Sequence, residues 1–210
     1  MWKSGSPFSG DRRILGSEFS QIVVAWLVLA FCFSVGALFT HDFPLTFIVA
    51  LVTIGAGFVL HELSHRFIAK RFGYSAEFRI WLWGIILALM FSLASGGRFI
   101  FAAPGAVYIT PMIKTFSLEH SIRRDSGLIS LSGPLANIII AILFLYLTGL
   151  GGILNVIGTF GYRINLWLAA FNLLPFGPLD GQKVFSWKPV VWVVITIPTW
   201  IMVFLPIIAI

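Results

Sequence analysis

Charged residues are scarce in this chain, and their scarcity limits the class of protein that it can form. Only 10% of the 210 residues are charged and 59% are hydrophobic, whereas soluble domains carry about 25% charged residues. So few polar side chains cannot cover the surface of a soluble globule. The composition therefore predicts a polytopic membrane protein in contact with a lipid bilayer.

Cysteine and clustered positive charge are lacking as well. Cys32 is the one cysteine of the chain, so a disulfide within it is excluded. The net charge of +6 comes from basic residues spread along the whole sequence. We therefore expect no nucleic-acid partner and interpret these charges as determinants of membrane topology. The first apolar stretch follows a polar leader of about twenty residues, which is long for a signal peptide, so an uncleaved anchor is expected.

Apolar segments recur at lengths that suit the hydrocarbon core of a bilayer, which is about 30 Å thick. Five of them are expected to be helical spans, at 21–39, 44–69, 128–150, about 164–180 and 190–210. The predicted fold class is an all-α polytopic membrane protein of about five to six transmembrane helices. We expect one membrane-embedded domain over 1–210, with a cytoplasmic tail at 1–20, a three-helix core within 44–185 and a C-terminal span at 189–210.

The segment 78–112 allows two topologies. Its apolar run at 80–94 has only 15 residues and could be an additional span, but basic residues after it, such as Arg98 and Arg124, would then lie outside the cell. If the segment instead enters the membrane and returns, these charges are cytoplasmic. We expect this re-entrant form, with a β-hairpin as one option, in a multi-pass protein of the cell membrane whose N-terminus faces the cytoplasm. A plain span at 80–94 is the alternative.

The most informative motif is His61-Glu62-Leu63-Ser64-His65, inside the second apolar segment. Residues four positions apart share one face of a helix, so His61 and His65 can bind one metal ion. Glu62 lies on the flank of that face, where a carboxylate can take a proton from water. Ionisable groups inside a membrane helix are costly and indicate a functional site. The motif predicts a zinc site of the hydrolytic type.

A catalytic zinc site needs a third protein ligand beside the two histidines. Apart from Glu62, the one acid embedded in an apolar segment is Asp180, between Pro178 and Gly181. Proline and glycine interrupt a helix, so the carboxylate can turn toward a neighbouring segment. We predict Asp180 as the third ligand, and an ion pair between Asp180 and Lys183 is the alternative.

Three motifs in this order resemble the site-2 protease family of intramembrane zinc metalloproteases. They are HELSH at 61–65, the glycine- and proline-containing SGPLAN at 132–137, and NLLPFGPLDG at 172–181. The resemblance covers about 44–185, and it implies a membrane-dipping β-hairpin after the HExxH helix.

The same resemblance implies roles for individual residues. One zinc ion per chain would be bound by His61, His65 and Asp180, and Glu62 would be the general base. Asn172 would hold the substrate backbone or the developing oxyanion. The alternative for Asn172 is that it satisfies backbone groups freed by a nearby proline. Asn137 is expected to make a hydrogen bond between packed helices.

The expected activity is regulated intramembrane proteolysis, the hydrolysis of peptide bonds within or near transmembrane segments of other membrane proteins. A strand within 99–109 could hold such a substrate in an unwound form by strand addition. The alternative is a membrane zinc-binding or regulatory protein without protease activity. A metal transporter is disfavoured, because the first, third and last spans carry almost no polar residues.

Overall fold

A computed structural model describes residues 16–111 and 119–205. In these ranges the chain is mostly helical and contains one two-stranded antiparallel sheet. Its elements are α1 (Glu18–Ser34), α2 (Phe43–Ile54), α3 (Leu60–Arg71), β1 (Tyr74–Ile80), α4 (Leu82–Ser95), β2 (Gly105–Pro111), α5 (Glu119–Thr148), α6 (Gly152–Asn172), α7 (Asp180–Trp187) and α8 (Pro189–Phe204). Most of the predicted tail at 1–20 and the predicted end of the last span, 206–210, lie outside the described residues.

Three helical segments of the described chain are long and apolar enough to cross a membrane. They are Glu18–Ala37, Phe43–Arg71 and Ile122–Thr148. They coincide with the spans predicted at 21–39, 44–69 and 128–150, and they agree with a helical membrane protein. The helices α4 and α8 are apolar but shorter, so the predicted total of five to six spans stays a prediction.

The second long segment is a helix with a local change of winding. A π-helical turn at Gly55–Val59 joins α2 to α3, and the HExxH motif begins one residue into α3. Such turns insert an extra residue into a helix and occur frequently at functional sites. A Cβ atom on Gly57 would overlap the Asn165 side chain of α6. Glycine therefore lets α6 pack closely at this turn.

The ambiguous segment contains elements of both predicted alternatives. β1 and β2 pair as an antiparallel hairpin with Ile80 opposite Gly105, and the apolar run between them forms helix α4. The fold is therefore not purely α-helical. The strand predicted within 99–109 begins only at Gly105, because its partner β1 ends at Ile80. The N–H of Trp81 makes the last rung, to the carbonyl of Pro104 at 2.8 Å.

Side chains of α1 cover the edge of β1 that faces away from β2. Oε1 of Glu18 accepts from the Phe78 N–H, and Oε1 of Gln21 accepts from the Ile80 N–H, both at 3.0 Å. The Glu18 carboxylate also accepts from Nη1 of Arg66 on α3 at 3.2 Å. One acidic side chain thus joins α1, α3 and β1. The N–H groups of Phe78 and Ile80 at the outer edge of β1 have hydrogen-bond acceptors without a third strand.

The interior of the protein lies between α1, α2, β1 and α6. Its buried residues include Leu29, Ile54, Phe78, Leu168 and Phe171. On the other side of α6, helix α5 packs closely, and it also contacts α3 and α7. The element α5 therefore stands beside both segments that carry the predicted metal ligands.

Candidate metal centre

His61 and His65 lie one turn apart on α3 and face the protein interior. Each is only 5% exposed, and their Nε2 atoms are 3.0 Å apart. This is the arrangement predicted from the i, i+4 spacing of the motif.

The other ring nitrogen of each histidine is held by a hydrogen bond from α5. Nδ1–H of His65 donates to the carbonyl of Ile129 at 2.8 Å. Nδ1–H of His61 donates to Oδ1 of Asn137 at 2.5 Å. A carbonyl oxygen can only accept, so both neutral imidazoles carry their proton on Nδ1 and a lone pair on Nε2. Such outer partners orient metal-binding histidines and set their tautomer.

Asp180 is the first residue of α7, and it brings its carboxylate to the two histidines. Its Oδ2 lies 3.2 Å from Nε2 of His61 and 3.0 Å from Nε2 of His65. A Cβ atom on the next residue, Gly181, would overlap the carbonyl of Leu173 at the end of α6. Glycine there lets α7 start against α6. The alternative ion pair between Asp180 and Lys183 does not occur in the described part of the chain.

These three ligand atoms match the requirements of a zinc ion. They are mutually 3.0–3.2 Å apart, and ligands at the usual zinc distances in a tetrahedron are about 3.3 Å apart. Two imidazole lone pairs and a carboxylate oxygen converge in a buried space, where they repel one another unless a cation lies between them. The buried group His61, His65 and Asp180 is able to bind a metal ion.

Gly133 of α5 forms the wall of the site behind the histidines. A Cβ atom at this position would lie 2.5 Å from Nε2 of His65 and 2.6 Å from Nε2 of His61. Any side chain here would occupy the space next to the ligand atoms. No role was predicted for Gly133 from the sequence, although it belongs to the SGPLAN segment that carries part of the family resemblance.

Asn137 connects the predicted metal ligand His61 to the π-helical turn and to α6. Its Nδ2 donates to the carbonyl of Gly57 at 3.2 Å and to Oδ1 of Asn165 at 3.1 Å. Asn165 donates in turn to the carbonyl of Gly161 at 2.8 Å. Asn137 and Asn165 are completely buried. The expected bond between packed helices is present at Asn137, but the same side chain also holds a predicted metal ligand, which sequence reasoning missed.

Glu62 lies beside the histidines and lines the same small cavity as Asp180. The residue is 8% exposed. Its Oε2 is buried and has no hydrogen-bond partner among the described residues. A carboxylate oxygen in this position is free to accept a proton from a molecule in the cavity.

Asn172 ends α6 and lines a cavity together with His61 and Glu62. Its Nδ2 donates to the carbonyl of Leu168 in its own helix at 2.9 Å. Pro175 has no N–H group, so it cannot bond the carbonyl of Phe171, four residues before it. That carbonyl accepts from the Leu174 N–H at 3.2 Å instead. Asn172 is thus placed at the site, and its predicted role stays a prediction.

The strand β2 lines the same cavity as the predicted metal ligands. Gly105, Val107 and Ile109 all line it. The N–H groups of Phe78 and Ile80 in β1 bond to α1, so they point away from β2. Gly105, Val107 and Ile109 therefore form non-hydrogen-bonded pairs with β1 in the antiparallel register. Their own N–H and C=O groups therefore point away from β1. Within the described chain these backbone groups form an open strand edge next to the predicted site.

The chain is similar in sequence to two curated proteins. It is 39% identical over 189 residues to "Putative zinc metalloprotease MJ0611" of Methanocaldococcus jannaschii, a match that covers 89% of this chain and 92% of the relative. It is 26% identical over 159 residues to "Putative zinc metalloprotease YwhC" of Bacillus subtilis, covering 68% and 70%. No family model matches the chain, and no solved structure matches it.

The first relative is similar over nearly its whole length, and both relatives are named for zinc. The buried group of two imidazoles and one carboxylate is able to hold that ion. Zinc is therefore the cofactor, in agreement with the prediction from HELSH and Asp180. The chain belongs to the family of zinc metalloproteases that these relatives represent.

Proposed function

We propose that this chain is an intramembrane protease of the site-2 type, which hydrolyses peptide bonds within or near transmembrane segments of other membrane proteins. The observation that carries the proposal is the position of the site. The ligands His61 and His65 belong to an apolar helical segment, Phe43–Arg71, that is long enough to cross a membrane. His65 lies six residues before the basic end of that segment, or about 9 Å along the helix. This position supports water-dependent chemistry below a membrane surface.

The residues divide the hydrolysis between them. His61, His65 and Asp180 would hold the zinc ion, which would supply Lewis-acid polarisation of the peptide carbonyl and lower the pKa of water. Glu62 accepts a proton from the attacking water at Oε2 and passes it to the leaving amine, as a general base and then a general acid. Asn172 lies where its side-chain amide can bind the substrate backbone or the oxyanion, once its bond to Leu168 is exchanged.

A transmembrane substrate must also be unwound, because a helix hides its peptide bonds from water. The open edge of β2, with the backbone groups of Gly105, Val107 and Ile109, offers a template for an extended segment. Those three residues line the same cavity as Glu62 and the predicted metal ligands. β1 cannot serve in the same way, because Glu18 and Gln21 already bond its outer edge. We assign the substrate strand to β2.

The proposal extends to the orientation in the membrane. With a cytoplasmic N-terminus, Lys70 and Arg71 at the end of α3 lie on the cytoplasmic side, as the distribution of basic residues in membrane proteins favours. The active site then opens toward the cytoplasm. Transmembrane proteins of the cell membrane are the proposed substrates.

Zinc content and cleavage of a synthetic single-span substrate in detergent test the proposal. We expect the wild type to cleave it, Glu62→Ala to keep zinc but lose cleavage, and Asp180→Asn to lose zinc. Glu77→Ala is the matched control, since Glu77 is exposed on β1 and pairs with Arg79. If the wild type binds one zinc ion but cleaves no substrate of a broad set, the alternative of a non-proteolytic membrane zinc-binding or regulatory protein is correct.

A further inference from the structure

A second cavity lies away from the metal site, between α1, the end of α4, α6 and α8. Its volume is about 520 Å³. Most of its wall is apolar, with Phe33 of α1, Trp167 of α6 and Met202 of α8 among the lining residues. Arg98 and Arg163 also line it. An apolar cavity with two cations is unusual for a chain that carries so few charges.

The two arginines have no acidic partner in the described chain. Neither forms an ion pair there, and no acidic side chain belongs to the described wall of the cavity. Arg163 lies eleven residues into α6, so it is about 16 Å from the start of that helix. Both arginine side chains are exposed, and an exposed guanidinium without an acidic neighbour can bind an anion that enters the cavity.

The arginine cavity is connected to the metal site by the segment 99–104. Ile100 lines the arginine cavity, and Ala102 lines the cavity of His61 and Glu62. Nε1 of Trp167 donates to the carbonyl of Ile100 at 3.0 Å, which holds the segment against α6. The segment then continues into the open edge strand β2. An extended occupant of that edge would follow the same direction to the arginines.

Two independent counts give the distance between the arginines and the metal site. Along α6, nine residues separate Arg163 from Asn172, which is about 14 Å. Along the extended segment, four residues separate Arg98 from Ala102, which is also about 14 Å. A substrate in extended conformation would span each of these distances of about 14 Å with about four residues.

We propose that Arg98 and Arg163 bind a carboxylate side chain of the substrate, Asp or Glu, about four residues from the peptide bond that is cleaved. This inference rests on the proposed protease function and names a determinant of its specificity. A guanidinium pair binds a carboxylate through charge-assisted hydrogen bonds. An acidic residue is also costly in a lipid-embedded segment, so the arginines favour its transfer from lipid into the protein.

The test moves one acidic residue along a substrate. A synthetic single-span substrate with a mapped cleavage position is reconstituted with the wild-type protein in phosphatidylcholine vesicles. Glu is placed at each position from two to ten residues on either side of the cleaved bond, with Gln at the same position as reference. We expect Glu about four residues away, on one side, to raise kcat/KM about tenfold over Gln. The ratio should fall to about one in the double variant Arg98→Gln/Arg163→Gln.

A charge reversal and a matched control make the test specific. Arg163→Glu should reverse the preference, so that Lys at the same substrate position is cleaved faster than Glu. Arg124→Gln removes an exposed arginine on α5 that does not line the cavity, and it should keep the preference for Glu. Zinc content of each variant shows whether the metal site is intact.

Four outcomes would overturn the inference. Equal cleavage of Glu and Gln substrates by the wild type, or a preference that survives the double variant, removes the arginines from recognition. If the double variant slows all substrates equally and only in vesicles with phosphatidylglycerol, the cavity binds a lipid phosphate instead. If the wild type cleaves none of the substrates while Glu62→Ala behaves identically, the protease function itself is wrong, and the inference fails with it.

Discussion

Nδ1 of His61 and Oδ1 of Asn137 lie 2.5 Å apart, although 76 residues separate them in the chain. Asn137 reaches His61 from α5 while its amide group is held by the Gly57 carbonyl and by Asn165. A buried network of this kind fixes the ring orientation before any metal binds. A residue outside the HExxH motif, Asn137, therefore orients the ring of its first histidine.

Replacing Asn137 by alanine should weaken zinc binding. The variant leaves Nδ1 of His61 without its acceptor in a buried site, and loss of such outer partners lowers metal affinity about 10- to 100-fold. Competition with a chelator of known zinc affinity measures the change. Asn155→Ala is the control, because Asn155 bonds the Thr148 carbonyl at the α5–α6 connection and should leave zinc affinity unchanged. Equal affinity in both variants would contradict the role of Asn137.

Gly133→Ala should reduce zinc affinity by about tenfold or more. The added Cβ would lie 2.5–2.6 Å from the Nε2 atoms of His61 and His65, and overpacking of this kind costs about 1–3 kcal/mol. Zinc content after dialysis at a fixed free zinc concentration reports the loss. Gly149→Ala is the matched control, because a Cβ atom there would lie 3.7 Å from the nearest atom, which is an ordinary van der Waals distance. A Gly133→Ala protein that binds zinc like the wild type would show that the wall can move.

Val107→Pro should slow substrate cleavage without removing zinc. Proline lacks an N–H group, and the N–H of Val107 points to the outer edge of β2, so the β1–β2 ladder stays intact. We expect kcat/KM to fall at least about tenfold, by loss of one or more backbone hydrogen bonds to an extended substrate. Val107→Ala controls for the lost side chain. Full activity of the proline variant would remove β2 as the substrate template.

Glu18→Ala should destabilise the protein while leaving the metal ligands in place. The carboxylate joins Arg66 of α3 to the N–H of Phe78 in β1, and a hydrogen bond to a charged group contributes about 1.5–3 kcal/mol. Thermal unfolding in detergent should show a lower Tm than in Glu77→Ala, whose side chain is exposed and bonds only its neighbour in the strand. Indistinguishable melting of the two variants would mean that α1 does not hold β1.

The metal site could be predicted from the sequence more fully than the fold around it. HELSH carries its geometry in the period of a helix, so two ligands follow from spacing alone. Asp180 could be predicted because a carboxylate within an apolar segment is costly unless it binds a cation. The structure brings Asp180 to the two histidines. Gly133 and Asn137 could not be assigned in this way, because their roles depend on how closely α5 approaches α3.

The fold of the segment 78–112 could be predicted less fully than the metal site. A re-entrant segment was expected, with a helix at 80–94 as the alternative, and the structure has both the helix α4 and a paired strand after it. The sequence did not indicate that Tyr74–Ile80 would be a strand. A strand becomes stable only through a partner, and β1 finds two, β2 on one edge and the side chains of Glu18 and Gln21 on the other. Such contacts join residues that are far apart in the chain.

The sequence by itself determined the zinc chemistry and the identities of the predicted ligands, and it predicted a membrane protein, because composition and helical spacing are local properties. Only the tertiary structure decided which α5 residues orient the histidines, which edge of the hairpin is open, and that Arg98 and Arg163 share one cavity. These relationships depend on the packing of helices against one another. Close packing is set by the fit of many side chains at once, and no single segment encodes it.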